Sequence, residues 1–213
     1  TLFLLILGML TSLSLPPFNY FILNFLTFAL FFLFLVKKIG QSKNKKLFFL
    51  YGWLFGFSYF CTNLYWVSIS LTFDQDYKFL IPLSLLLIPA FLAIFYGFIT
   101  YLFAIFKSKK LIVSYLIFSL IFGTVEFIRG TILTGFPWNL IAYSFSNQVE
   151  LLSVISVIGT YGFNLFCISL FISPAIFIVR DIKKNITICI FFLISIISFY
   201  FYGDFNKKEF YNL

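Results

Sequence analysis

The feature that most constrains this chain is a succession of seven apolar runs separated by short charged or turn-forming stretches. The runs cover residues 1–15, 21–36, 47–67, 79–106, 111–125, 151–179 and 186–202. About 20 apolar residues suffice to carry a helix across a bilayer. Lipid offers the backbone no partners, so a spanning segment must satisfy its own N–H and C=O groups. The runs therefore predict an all-α membrane protein, a bundle of about seven transmembrane helices. A soluble domain could not hide 62% hydrophobic residues behind 10% charged ones. The first run is short for a span and is broken by Pro16-Pro17. It lacks the basic start of a secretory signal, and a second run follows at once, which disfavours a signal peptide. The chain opens with Thr1 rather than Met, so part of the start is expected to be missing.

The net charge of +8 does not point to nucleic acid, because the basic residues sit between apolar runs. Of the fifteen Lys and Arg, eleven fall after runs two, four and six: Lys37, Lys38, Lys43, Lys45 and Lys46, then Lys107, Lys109 and Lys110, then Arg180, Lys183 and Lys184. Basic loops stay in the cytoplasm, which puts these three inside. The loop at 74–78, the stretch 126–143 and the polar tail at 203–213 then share the outer face, as do all the acidic residues except Asp181.

Reactive chemistry is sparse. The chain has no His, which excludes His-based triads and most zinc sites. Cys61, Cys167 and Cys189 are widely spaced in or beside apolar runs and read as packing residues. Asp74, Asp76 and Lys78 together read as a solvated loop, and the sequon at Asn185 falls in a basic loop and reads as chance. No metal site or cofactor follows. Gly52 and Gly56, four residues apart, permit close helix contact, and Tyr65-Trp66 has the character of an interfacial aromatic belt.

The exception is Glu126-Phe127-Ile128-Arg129-Gly130-Thr131-Ile132-Leu133-Thr134-Gly135-Phe136-Pro137-Trp138-Asn139. A carboxylate and a guanidinium stand three residues apart, followed by a Gly-Phe-Pro-Trp turn. Gly135 reaches backbone angles closed to other residues, and Pro137 fixes its own φ and lacks an N–H. The backbone is therefore expected to leave the helix at Gly135 to Pro137, with the ionisable pair beside the break. Two readings stay open: an interfacial salt bridge with Trp138 as a membrane-surface anchor, or a functional site, the usual meaning of ionisable residues at membrane depth.

These residues closely resemble the membrane-domain signature of bacterial apolipoprotein N-acyltransferases. Three weaker blocks follow the same order: Leu15-Pro16-Pro17-Phe18, then Gly52 to Gly56 with Tyr65-Trp66, then Gly159-Thr160-Tyr161-Gly162-Phe163-Asn164. The resemblance implies a multi-pass domain over residues 1–203 in the bacterial inner membrane. Residues 204–213 would begin a linker to a periplasmic nitrilase-like domain that the sequence does not contain. It implies transfer of an acyl chain from a phospholipid to the α-amino group of a lipoprotein's diacylglyceryl-cysteine. It places the Glu-Lys-Cys triad in the missing domain, so no catalytic residue carries over and the chain by itself should be inactive. What remains is a substrate-presenting floor, with Glu126, Arg129, Gly135, Pro137 and Trp138 as its structural or substrate-contacting residues. Arg129 is also expected to reach a phospholipid phosphate, which suits guanidinium geometry. The implied partners are the phospholipid donor, the lipoprotein acceptor and the bilayer.

Two alternatives are a stand-alone transporter or lipid-binding component, and the membrane half of a glycosyltransferase acting on lipid-linked sugars. No internal repeat of the transporter kind is visible. The charge distribution gives a direct test of orientation. Reporters inserted after Lys45 and after Ser146 should read as cytosolic and external respectively, and the reverse pattern would overturn the assignment.

Overall fold

The computed structural model describes residues 1–42, 44–132, 135–178 and 182–211. Lys43, Leu133, Thr134, Arg180, Asp181 and the last two residues of the tail, all used in the sequence reading, lie outside the described residues. The helices are α1 (Leu2–Ser12), α2 (Ile22–Ile39), α3 (Lys46–Asn63), α4 (Ile81–Phe106), α5 (Leu111–Thr131), α6 (Val149–Leu152), α7 (Ile155–Ile172) and α8 (Ile182–Tyr211). Short 3-10 helices cover Tyr65–Thr72, Gln75–Leu80, Ile141–Phe145 and Ser173–Ile178. No strand occurs among the described residues.

The all-α membrane architecture follows the apolar runs. Five helices among the described residues are long and apolar enough to cross a membrane, or six if α3 and its continuation, bent by 44°, form one span. α1, with 11 residues, is a shorter apolar helix. Three boundaries shift. α5 does not stop near Val125 but runs through Glu126 and Arg129, whose side chains pair one turn apart within it. The sixth run divides as its glycines suggest: α6 is separate, and α7 bends at Gly159 (φ 73°). The polar tail stays helical to Tyr211. Its outer turns are tied by Lys207 to Glu150 (2.8 Å) and by Lys208 to Asp204 (2.6 Å). The Lys207 hydrogen bond holds the Glu150 carboxyl below its ordinary pKa. That tie is complete above the unfolded carboxylate range and loosens as pH falls through the lowered value.

Phenylalanine, which lipid would accept on any face, here also builds the centre of the bundle. Phe28, Phe31, Phe32, Phe55, Phe118 and Phe122 are fully buried. Phe31 stacks on Phe55 at 4.1 Å, Phe28 lies 5.6 Å from Phe122, and Phe103 meets Phe118 edge-on at 4.9 Å. In a bilayer there is little hydrophobic drive between helices, so contact surface and hydrogen bonds must hold them. α3 and α4 show both. A Cβ on Gly52 would overlap the Tyr96 carbonyl oxygen, and Gly56 packs against the Tyr96 side chain. Beside them Thr100 donates to the Phe48 carbonyl at 2.6 Å.

The end of α1 with the turn after it, the end of α3 and the loop after α5 meet at one end of the bundle. Ser12, Pro16, Thr62, Tyr65, Trp66 and Asn139 border one small cavity there, and Ser146 donates to Asn19 at 2.9 Å. Close packing at Gly52 predicts that Gly52→Val costs about 1–3 kcal/mol, the scale of overpacking. Gly162→Ala, whose Cβ would come no nearer than 3.5 Å to Ile158, should stay within about 0.5 kcal/mol. Unfolding in detergent measures both, and equal stability of the two variants would contradict the packing.

Candidate functional site

The site begins with a charge pair sealed inside the protein. Glu126 and Arg129 are 0% and 1% exposed, and Arg129 Nη2 donates to Glu126 Oε2 at 2.5 Å. Three residues apart on a helix, the two side chains lie on one face, and here that face is the one turned to the core. Removing one partner of such a pair leaves an uncompensated buried charge, at a cost of about 3–5 kcal/mol. Aromatic rings close the rest of the shell. The guanidinium carbon sits 5.4 Å from the Phe60 ring centre and 6.0 Å from that of Phe136. Tyr59 and Tyr96, both buried, flank the pair.

Arg129 has a second function within the fold. Its Nη1 donates to the Phe136 carbonyl at 2.8 Å and to the Trp138 carbonyl at 3.1 Å. The rigid guanidinium fork thus binds the carboxylate on one side and the returning loop on the other. The Phe136 N–H in turn donates to the Arg129 carbonyl at 3.1 Å, satisfying one of the carbonyls that a helix end leaves open. The chain turns back at Gly135, with φ 77°, and a Cβ there would overlap the Gly130 carbonyl. Only glycine meets both conditions. The expected contact of Arg129 with a lipid phosphate is not what the structure shows. Because α5 continues past Glu126, Arg129 faces inward, and its Nη atoms are engaged by Glu126, Phe136 and Trp138.

All five residues singled out in the sequence come together in this loop. Two of them, Pro137 and Trp138, emerge at the surface. With Leu15, Pro16, Trp66 and Tyr143 they line a cavity of about 570 Å³ at the end of the bundle where the loop after α5 turns back. Trp66 and Trp138 stand 5.8 Å apart across it, so Trp66, expected as a membrane-surface aromatic, is also a wall of the cavity. Among the described residues no charged side chain lines it.

Further residues hold the loop that the sequence reading did not single out. Tyr59 donates to the Asn139 carbonyl at 2.8 Å, and the Asn164 side-chain oxygen accepts from the Ala142 N–H at 3.0 Å. Tyr59 is one of 13 tyrosines in an aromatic-rich chain, so nothing marked it out. Asn164 closes the Gly159–Asn164 block and sits in an apolar run. An amide there is a signal in itself, because a polar group in lipid needs a partner. Asn24, 0% exposed on α2, carries the same signal.

Asn139 adopts φ 58°, a region that asparagine tolerates and branched residues do not, and its side-chain oxygen accepts no hydrogen bond. Asn139→Gly should therefore leave stability within about 0.5 kcal/mol. Asn139→Val should cost about 1–3 kcal/mol. Chemical denaturation in detergent checks the pair, and a tolerated valine would contradict the turn geometry.

Comparison with known proteins returns one family. The model of the apolipoprotein N-acyltransferase N-terminal domain matches residues 7–174. An apolipoprotein N-acyltransferase of Rhizobium leguminosarum bv. trifolii is 36% identical over 185 residues, covering 84% of this chain and 34% of the relative. One from Rhodopseudomonas palustris is 35% identical over 178 residues, covering 82% and 33%. One from Rickettsia prowazekii is 36% identical over 165 residues, covering 77% and 32%. The chain spans about a third of the length of these curated relatives.

Proposed function

The chain belongs to the apolipoprotein N-acyltransferase family, and from that premise we propose that it is the membrane half of such an enzyme, serving as the floor on which lipid substrates are presented. The reaction moves an acyl chain from a phospholipid to the N-terminal amine of a diacylglyceryl-cysteine on a lipoprotein. It proceeds through a thioester: a thiolate takes the acyl group as the lysophospholipid leaves, and the amine then takes it from sulfur. Covalent catalysis of this kind divides one hard step into two easier ones. The Glu-Lys-Cys triad belongs to a nitrilase-like domain on the periplasmic side, and the 213 residues alone are inactive.

The cysteines of this chain fit that division of labour. Cys167 is buried, Cys61 is half-buried, and Cys189 is exposed on α8, whose apolar surface faces lipid. What the chain contributes is geometry. Both substrates keep their acyl chains in the bilayer and their reacting groups at its outer surface, so the surface that receives them must be apolar and fixed.

The observation that carries this reading is the bracing of the Phe136–Trp138 carbonyls by buried Arg129. Pro137 and Trp138, between and beside those carbonyls, stand in the wall of the cavity, which this reading assigns to the outer end. Arg129 therefore acts as the brace of the floor, and Pro137, Trp138 and Trp66 form its surface. In this reading the outer end faces the periplasm and the lysine-rich loops face the cytosol of a bacterial inner membrane. Neither the transporter nor the glycosyltransferase alternative has a comparable observation behind it.

The test is made in cells where a full-length parent gene, carrying this chain as its membrane half together with the nitrilase-like domain, replaces the resident N-acyltransferase gene. Mass spectrometry of lipoprotein N-termini should find the third acyl chain. Arg129→Gln at normal membrane levels should lower its appearance about tenfold or more, since small misplacements of bound substrate cost rate on that scale. Lipoproteins that stay diacylated with the unsubstituted gene, or unchanged acylation in Arg129→Gln, would defeat the proposal.

A further inference from the structure

Three helices send one buried polar side chain each to the same short loop. From α5, Arg129 holds the carbonyls of Phe136 and Trp138 at 2.8 and 3.1 Å. From α3, Tyr59 holds the carbonyl of Asn139 at 2.8 Å. From α7, Asn164 holds the N–H of Ala142 at 3.0 Å. The three anchors are 1%, 0% and 0% exposed. A buried side chain whose ring or stem is packed on all sides has little freedom, so the backbone atom it binds is fixed as well.

The anchored atoms alternate with the residues that face the cavity. Carbonyls 136, 138 and 139 turn inward to their donors, while the side chains of Pro137 and Trp138 turn outward to the cavity wall. Ala142, held by Asn164, opens the turn that carries Tyr143 into the same wall. Trp66 comes from the other side. It stands in the 3-10 helix Tyr65–Thr72 that continues α3, the helix of Tyr59. The Tyr59 hydrogen bond thus ties α3, which the helix bearing Trp66 continues, to the loop bearing Trp138.

We propose that Tyr59 and Asn164 are positioning residues that set the separation of Trp66 and Trp138 across the outer cavity. They touch no substrate. They act through the backbone of residues 139–142, and they complete from either side what Arg129 begins. Arg129 by itself fixes only the first half of the loop. The significance of this spacing for acyl transfer rests on the floor reading above, whereas the spacing itself can be measured without any reaction.

The measurement uses the full chain in phospholipid nanodiscs. Cys61 and Cys189 are replaced by Ala, and Trp66→Cys is labelled with bimane, whose fluorescence a nearby indole quenches on contact. Trp138 is the intended quencher, which a Trp138→Phe control confirms by restoring the fluorescence. Tyr59→Phe deletes one hydroxyl, and Asn164→Ala deletes one acceptor. Each should lower the quenching by about half or more, because a freed loop samples wider separations. Tyr115→Phe is the matched control. It removes a buried tyrosine hydroxyl of the same kind, bound to the Ser169 carbonyl at 2.9 Å away from the loop, and should leave quenching unchanged.

Quenching that persists in both Tyr59→Phe and Asn164→Ala overturns the inference. So does an equal loss in Tyr115→Phe, which would mean general loosening. Should Tyr59→Phe fail to accumulate, Asn164→Ala decides alone. In the gene-replacement cells the same two variants should raise the KM for the phospholipid donor more than they lower kcat. Normal quenching effects without any acyl transfer by the unsubstituted protein would reject the floor reading and leave the positioning intact.

Discussion

An ion pair buried among phenylalanines is the constraint on which the loop after α5, and the cavity it walls, depend. Neither Glu126 nor Arg129 could be left alone where they are. An isolated charge in such surroundings would cost several kcal/mol even after relaxation. Together, and with two backbone carbonyls added, they become an anchor, because the same guanidinium that neutralises the carboxylate has donors left for the loop. The pair holds the loop at 136–138 in place, and the loop in turn gives Arg129 two carbonyl acceptors.

The rest of the bundle supplies the rigidity that makes such an anchor useful. α3 and α4 approach through Gly52 and Gly56, and the buried phenylalanine cluster joins α2, α3, α4 and α5 just beneath the pair. A soft foundation would let the guanidinium follow the loop instead of holding it. Here the donors on α3, α5 and α7 are fixed relative to one another, and the irregular backbone at 135–146 inherits their geometry. Irregular backbone close to lipid survives only when protein satisfies its polar groups. The arrangement that stabilises the loop is therefore also the one that shapes the cavity.

Much of this was legible in the residues. Apolar runs ended by lysines gave the helices. Glu126, Arg129, Gly135, Pro137 and Trp138 stood out because charge, φ freedom and a missing N–H are rare in such surroundings. Other features were not legible. Whether Glu126 and Arg129 end a helix or ride inside one depends on their facing each other across one turn, which a linear reading cannot see. The inward direction of Arg129 followed from that helix continuing, and it replaced a lipid phosphate by two carbonyls. Tyr59 was hidden for a different reason: among so many aromatic residues, only the tertiary contact with Asn139, eighty residues away, distinguishes it.

The most direct measurement of the central claim is a double-mutant cycle on Glu126 and Arg129, read by chemical denaturation of the chain in detergent. Glu126→Leu and Arg129→Met each leave the other member stranded, so each alone should lose about 3–5 kcal/mol. The double variant should lose clearly less than their sum, with a coupling of about 2 kcal/mol or more. Additive losses would mean that the two charges do not depend on each other, and the loop would then need another anchor.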